Sequence, residues 1–365
     1  MLDNYYDSYG YKAPEHFITT ADIKKVKFAP ANHIEQNLTE IASFFSETGQ
    51  ETGALSQSPL FYKKGEKKNN GGGGGDNDDY NKMYLTFEFE TDAELIFEFG
   101  AARTQTYQYI AYSLDNGKTW ITSMNLGAGI YVNTSVHQGQ KVLFKGEGIS
   151  MNQGREGYGS FSSEGRCNVY GNIMSMLYGD EYEDKDYFPQ GDYSLAFLFS
   201  RMTNLISAEN LILPATNLAS NCYYRLFQNC IALEKAPKLL PAVTLSNSCY
   251  QQMFGGCTSL VEAPELPATT LAQGCYSNMF ENCVSLVNAP ELPATNLATQ
   301  CYSSMFKGCT SLSYIKCLAT DLSAYNCTTI WVSNVSQNGT FVKSSGVNWG
   351  TGENGIPSGW TVEEV

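Results

Sequence analysis

The sequence predicts a multidomain fold of β plus α/β solenoid class: a small antiparallel β-domain, a solenoid of coils about 26 residues long, and a C-terminal β-cap. Three observations predict this architecture. A phrase beginning Leu-Pro-Ala recurs four times between residues 211 and 327, polar and apolar residues alternate after residue 80, and tryptophans gather after residue 328. A fixed period in this range is typical of repeats that stack on one another to bury their apolar sides.

Each repeat carries two cysteines and a phenylalanine at fixed places after its Leu-Pro-Ala phrase. Neighbouring members of either cysteine series lie 27, 26 and 26 positions apart. The period predicts that these residues point inward. The predicted repeat core is Cys222, Cys230, Cys249, Cys257, Cys275, Cys283, Cys301, Cys309, Phe227, Phe254, Phe280 and Phe306.

One side of each coil is predicted to be helical. From Leu271 to Cys283 the apolar residues recur about every four positions, which indicates an amphipathic helix. Thr269 or Thr270 lies where the N-cap is expected. Pro290 and Pro293 predict that the opposite side is extended and only briefly hydrogen-bonded, because proline has no N–H to donate.

The repeats resemble a known family. Met253–Leu260 and Met305–Leu312 both read Met-Phe-x-x-Cys-Thr-Ser-Leu, which resembles the BspA-like class of leucine-rich repeats. Cysteine and methionine stand where that class usually has isoleucine and alanine. The resemblance covers roughly residues 193 to 327 and implies a leucine-rich-repeat fold. Such repeats occur on surface proteins of gut bacteria and in fibre proteins of the phages that infect them.

The segment before the repeats has the pattern of an antiparallel β-domain. Apolar and polar residues alternate from Tyr84 to Phe99, and Asn116-Gly117 separates two further runs, which is a hairpin signal. The segments at 112–120 (Tyr-Ser-Leu-Asp-Asn-Gly-Lys-Thr-Trp) and 141–146 (Lys-Val-Leu-Phe-Lys-Gly) also resemble the module that precedes these repeats in proteins of crAss-like phages and prophages of gut Bacteroides-type hosts.

The first residues read as an arm followed by a linker. Aromatic residues lie in a short polar segment, and they suggest anchors for a partner's pockets: Tyr5, Tyr6, Tyr9 and Tyr11. A strand or flap packed on the chain's own β-domain is the other reading. Five consecutive glycines at 71–75 indicate a flexible linker.

These patterns divide the chain into six parts. The predicted parts are a docking arm (1–62), a Gly-rich linker (63–79), an antiparallel β-sandwich-like domain (80–160), an N-terminal solenoid cap (161–192), the leucine-rich-repeat solenoid (193–327) and a C-terminal cap (328–365).

The acidic composition argues against several classes of function. A formal net charge of −14 disfavours a nucleic-acid surface and anionic membranes. No stretch approaches the roughly 18 apolar residues that span a bilayer, and the first residues lack the pattern of a signal peptide. We therefore expect one of two cases: either a leader has been lost, or the protein is made in a cytoplasm and reaches the outside by another route, such as release of a virion by lysis.

The eleven cysteines raise the question of disulfides or zinc. Equivalent cysteines of stacked coils would approach to about 5 Å, within disulfide reach. Their place in an apolar stripe and their odd total favour reduced, buried thiols instead. No Cys-x-x-Cys pair is present, and His16, His33 and His137 lie outside the repeats, so no metal site is predicted.

The sequence indicates no catalytic residues and no cofactor. Three histidines and the absence of a nucleophile elbow give no basis for a Ser/His/Asp arrangement. Carboxylates that hard cations such as calcium take as ligands occur in one run, Asp180, Glu181, Glu183, Asp184 and Asp186. The run lacks the spacing of an EF-hand loop, which favours a solvated connection.

These observations lead to a non-enzymatic interaction protein. The leading hypothesis is a phage head or tail fibre or decoration protein at the virion surface. Its arm would bind other virion proteins, and its repeats would bind a host surface protein or glycan. The resemblance also implies a homo-oligomer, with a trimer as the guess. The alternatives are a bacterial cell-surface adhesin and a carbohydrate-active enzyme.

Overall fold

The computed structural model describes residues 79–99, 109–124, 129–147, 159–189 and 191–365, which belong to one compact unit. The predicted arm, including Tyr5, Tyr6, Tyr9 and Tyr11, lies outside these ranges. The predicted fold class, a leucine-rich-repeat solenoid of α/β type, is wrong. The described residues form several sheets joined by turns and contain a single α-helix, α1 (Ser175–Tyr178).

Two facing sheets are built before residue 173. Their strands are β1 (Leu85–Phe89), β2 (Ala93–Phe99), β3 (Tyr109–Ser113), β4 (Ile121–Met124), β5 (Gly129–Val136), β6 (Lys141–Glu147), β7 (Gly159–Ser163) and β8 (Cys167–Asn172). β2 lies between β5 and β7 in an antiparallel three-stranded sheet. The larger sheet runs β8-β1-β6-β3-β4, also antiparallel.

Phenylalanines fill the space between the two sheets. The Phe161 ring lies 4.9 Å from Phe87 and 4.7 Å from Phe144, and 4.8 Å from Phe97 on its own sheet. All four rings are buried. Alternation along each strand turns these rings inward and the intervening polar residues outward.

The predicted helices of the repeats are replaced by ribbons of turns. In the repeat that contains Cys275, N–H groups donate to carbonyls three residues back, as from Ser277 to Gly274 at 3.1 Å. Gly274, Asn278 and Asn282 have φ of 61°, 55° and 61°. A right-handed helix excludes such left-handed residues, so the segment is a series of turns with a left-handed residue at every fourth position. We call such a segment a ribbon.

Thr269 and Thr270 therefore cap no helix. Their N–H groups both donate to the Val243 carbonyl of the preceding repeat, at 3.0 and 3.1 Å. The two threonines hold a corner where one repeat rests on another.

The ribbons hydrogen-bond to one another along the chain. Every second N–H of one ribbon donates to a carbonyl of the next. Between two of them, Ser248, Tyr250, Gln252, Phe254 and Gly256 donate to Gln273, Cys275, Ser277, Met279 and Glu281 at 2.7 to 3.0 Å. We call residues 193–334, which contain these ribbons, the repeat stack. All of these bonds point the same way, from the earlier repeat to the later one.

The extended sides of the repeats pair through single parallel bridges. One series joins Ser207, Lys235, Glu262, Asn288 and Tyr314. It continues into a parallel sheet of β11 (Tyr314–Cys317), β12 (Thr340–Lys343) and β13 (Thr361–Glu364). The bridges are short because prolines interrupt the extended sides that precede β11.

The first repeat completes the larger sheet. Its two short strands, β9 (Leu205–Ser207) and β10 (Leu211–Ile212), both pair in parallel with β8. The Phe161 N–H of the smaller sheet donates to the Leu198 carbonyl at 2.9 Å. One continuous hydrophobic core therefore runs from the facing sheets into the repeat stack.

Candidate binding cleft beside the first repeat

The structure places all twelve predicted repeat-core residues in the interior, each with no exposed surface. The phenylalanines form a column in which Phe227, Phe254, Phe280 and Phe306 stack nearly parallel, with ring centroids 5.4 to 5.7 Å apart. These contacts combine area burial with favourable offset stacking.

A second column consists of the tyrosines that follow the first cysteine of each repeat. Tyr223, Tyr250, Tyr276 and Tyr302 stack with centroids 5.7 to 6.1 Å apart. Both columns end on Trp331, which lies 6.1 Å from Phe306 and from Tyr302. One tryptophan thus closes two columns.

The second cysteine of each repeat binds the backbone of the repeat before it. The thiols of Cys230, Cys257, Cys283 and Cys309 donate to phenylalanine carbonyls at 3.0, 3.1, 3.2 and 2.9 Å. Burial raises the pKa of Cys257 and Cys309 to about 12. Since the thiolate is the nucleophile and the metal ligand, these thiols act as small packing groups with one hydrogen bond each.

The acidic run is tied into the protein by neutral and basic partners. Asp180 accepts from the Tyr84 hydroxyl at 2.7 Å and from the Lys145 Nζ at 2.6 Å, and these two hydrogen bonds lower its pKa. Asp186 accepts from the Thr216 hydroxyl at 2.7 Å. Within the described ranges no group of three His, Cys, Asp or Glu side chains is placed to hold a metal ion.

A cleft of about 430 Å³ opens where the larger sheet meets the first repeat. Its floor is a row of outward side chains on three neighbouring strands: Lys141 on β6, Glu88 on β1 and Asn168 on β8. The residues on either side of Glu88, Phe87 and Phe89, are buried in the core. Strand alternation therefore brings the three polar side chains to one face.

Two tyrosines form a corner of the cleft. The Tyr80 and Tyr170 rings meet edge to face, with centroids 5.6 Å apart at 73°. Lys141 Nζ lies 5.6 Å from the Tyr170 centroid and 3.8 Å from the Glu88 carboxylate. Burial raises the pKa of Tyr170, and the negative charge of Glu88 adds to the rise, so the phenol stays protonated at neutral pH.

The opposite wall comes from the first repeats. Ser207 pairs with Asn168 and bridges to Lys235. The Asn210 side-chain amide donates to the Tyr80 hydroxyl at 3.2 Å. Lys235 Nζ lies 3.1 Å from the Glu209 carboxylate. The cleft is thus lined by rings, amides, a hydroxyl and paired charges, and both walls are hydrogen-bonded to neighbouring elements.

The cleft residues were not singled out from the sequence. Most come from β1, β6, β8 and β9, and the others, Tyr80, Asn210, Glu234 and Lys235, lie outside these strands. Only the pairing of distant segments brings them together. The sequence contained one indication of the cleft. Asn168 and Tyr170 alternate with Cys167 and Val169, which are buried, so the first two residues lie on the outward face of β8. Tyrosine is enriched at interfaces because its ring is apolar and its tip is polar.

Comparison of the chain with protein-family models, with curated proteins and with solved structures finds no match. Across the described ranges, no helix has the length and apolarity that crossing a bilayer requires.

Proposed function

We propose that the chain is a non-enzymatic structural protein of a phage virion, a head or tail fibre or decoration protein that presents its repeat stack to the host surface. The observation that carries this proposal is the direction of the repeated side chains. The thiols, phenols and rings that recur with the period are all buried: the rings stack in internal columns, and the second thiol of each repeat contacts a backbone carbonyl. Repetition therefore serves to build a rigid body rather than a reactive centre.

Rigidity suits presentation because little conformational entropy is lost when an ordered surface binds. Each repeat contributes backbone hydrogen bonds, two stacked rings and one thiol contact to its neighbour. In such an array each repeat is stabilised by the next one. The outward positions are then free to vary with the ligand. In this proposal the arm of residues 1–62 fixes the protein to other virion proteins.

Fractionation of particles tests the proposal. The protein should sediment with intact virions through a density gradient, and a photo-cross-linker at Tyr5 or Tyr9 should join it to a head or tail protein. A chain lacking residues 1–62 should be made in the same amount and be missing from the particles. Recovery of the full chain with a bacterial envelope, and none with particles, would refute the virion role and favour the adhesin.

A further inference from the structure

We propose that the cleft cornered by Tyr80 and Tyr170 binds an uncharged saccharide. The inference names a ligand class for the attachment role proposed above, and it rests on that role. Three features of the cleft lead to it: balanced charge, half-buried tyrosine rings in its lining, and side chains that both donate and accept hydrogen bonds.

The charge of the cleft argues against ionic ligands. Its lining contains two glutamates and two lysines, Glu88, Glu234, Lys141 and Lys235. Lys141 faces Glu88 at 3.8 Å, and Lys235 faces Glu209 at 3.1 Å. A charged ligand would have to break these pairs, while the chain as a whole, at −14, repels anions. An uncharged ligand meets neither cost.

The rings supply the apolar part of the contact. Tyr80 and Tyr170 meet edge to face, so the two rings present surfaces that differ in direction. A pyranose ring has an apolar C–H face that packs on an aromatic ring and a polar rim of hydroxyls. Tyrosine suits this ligand because its body is apolar and its tip is polar.

The polar side chains match the hydroxyl rim. The lining includes the amides of Asn168 and Asn210 and the hydroxyl of Ser207. An amide offers donors and an acceptor, and a hydroxyl does both, as sugar hydroxyls do. The volume of about 430 Å³ falls within the range of small-molecule sites. These groups are held by strand pairing and by the Asn210–Tyr80 hydrogen bond, which limits the entropy lost on binding.

Affinity electrophoresis of the full-length protein tests the inference. The probes are three neutral polysaccharides (mannan, xylan and dextran) and one anionic polysaccharide, polygalacturonate, each cast in a native gel. The variants are Tyr170→Ala and Tyr80→Ala, which remove a ring, and Asn210→Ala, which removes one amide and leaves both rings in place. The matched control is Tyr325→Ala, since Tyr325 is 72% exposed and lies outside the cleft.

We expect at least one neutral polysaccharide to retard the wild-type protein. Loss of either ring should weaken the apparent affinity about tenfold or more, and Asn210→Ala should weaken it less, while Tyr325→Ala should migrate like the wild type. Asn210→Ala keeps the test valid if a ring variant does not fold. Three results would overturn the inference: no retardation by any neutral probe, retardation by polygalacturonate alone, or retardation that all three cleft variants retain.

The outcome separates this inference from the virion role. A protein that sediments with particles and binds no neutral polysaccharide refutes the cleft and leaves the virion role standing. A protein that binds mannan, xylan or dextran through the cleft, and is absent from particles, refutes the virion role alone.

Discussion

Replacing Phe280 by alanine removes one ring from the middle of the phenylalanine column. Phe280 has no exposed surface and stacks on Phe254 at 5.6 Å and on Phe306 at 5.7 Å. A buried Phe→Ala change costs about 3 to 5 kcal/mol, more where the site cannot collapse. Two broken ring pairs, each worth about 0.5 to 1.5 kcal/mol, place the expected loss near 4 kcal/mol.

Equilibrium unfolding in urea measures this loss. Tryptophan fluorescence is a suitable signal, because Trp331 packs on the end of the same column. Tyr325→Ala is the control: it removes an aromatic side chain that is 72% exposed, and it should change the free energy of unfolding by less than about 0.5 kcal/mol.

A loss below about 1 kcal/mol for Phe280→Ala would refute the reasoning. It would mean that the ring is not packed between its neighbours, since the loss of a buried phenylalanine with two stacked partners is expected to lower the free energy of unfolding by more than that.

Three further predictions follow from individual residues. Tyr250→Phe should raise the free energy of unfolding, measured in urea, by about 1 kcal/mol. The buried Tyr250 hydroxyl has no hydrogen-bond partner in the described part of the chain, and desolvation of that group costs free energy. The same change at Tyr276, whose hydroxyl is not among those unpartnered groups, should give no such gain. Gly308→Ala should lower the free energy of unfolding by about 1 to 3 kcal/mol, because Gly308 has a φ of 78° and a Cβ there would collide with the Asn282 side chain of the preceding repeat. The control is Gly350→Ala, which places its Cβ in open space and should have little effect. Equal losses for the two variants would contradict the ribbon conformation. Alkaline pH should destabilise the protein, because burial raises the pKa of thiols such as Cys309 from 9.0 to about 12. The unfolded state therefore loses these protons first. The thiols' contribution to stability is complete below pH 9 and falls as pH rises toward 12, by up to about 1.4 kcal/mol per pH unit for each thiol. Urea midpoints that stay constant between pH 9 and 11 would contradict this.

The repeat period was readable from the sequence, whereas the local conformation was not. The apolar residues from Leu271 to Cys283 recur in steps of four, and a helix of 3.6 residues per turn drifts by about 40° at each such step. A ribbon that turns every four residues shows no drift. The signal for it was the polar residue at each fourth position, Gly274, Asn278 and Asn282. Glycine and asparagine tolerate positive φ best, and in a helix they would have no reason to recur.

The cleft was beyond prediction for a different reason. Glu88 and Asn168 are 80 positions apart in the chain, and they become neighbours only because β1 and β8 pair in one register. A slip of one residue between these strands would turn one of the two side chains to the core face and separate the pair. Alternation predicts which face a residue takes, and it does not predict which strand lies beside it.

The one-way hydrogen bonding of the ribbons explains why the two ends of the repeat stack differ. The ribbons donate N–H groups toward the C-terminus, so the last ribbon requires acceptors. It finds them in a loop, where Ile330 and Val332 donate to Asn354 Oδ1 at 2.6 Å and to the Glu353 carbonyl at 3.3 Å. The first ribbon requires donors instead, and the Phe161 N–H supplies one to Leu198.

A buried backbone group left unpaired at either end would cost about 1 to 3 kcal/mol. The facing sheets therefore satisfy backbone groups of the first repeat that no earlier ribbon could pair. The cleft lies on this same joint, with Tyr170 on one side and Asn210 on the other. The pairing of β8 with β9 and β10 joins the facing sheets to the repeat stack. Separating the sheets from the repeats should therefore abolish the cleft and, at the same time, expose the core of the repeat stack.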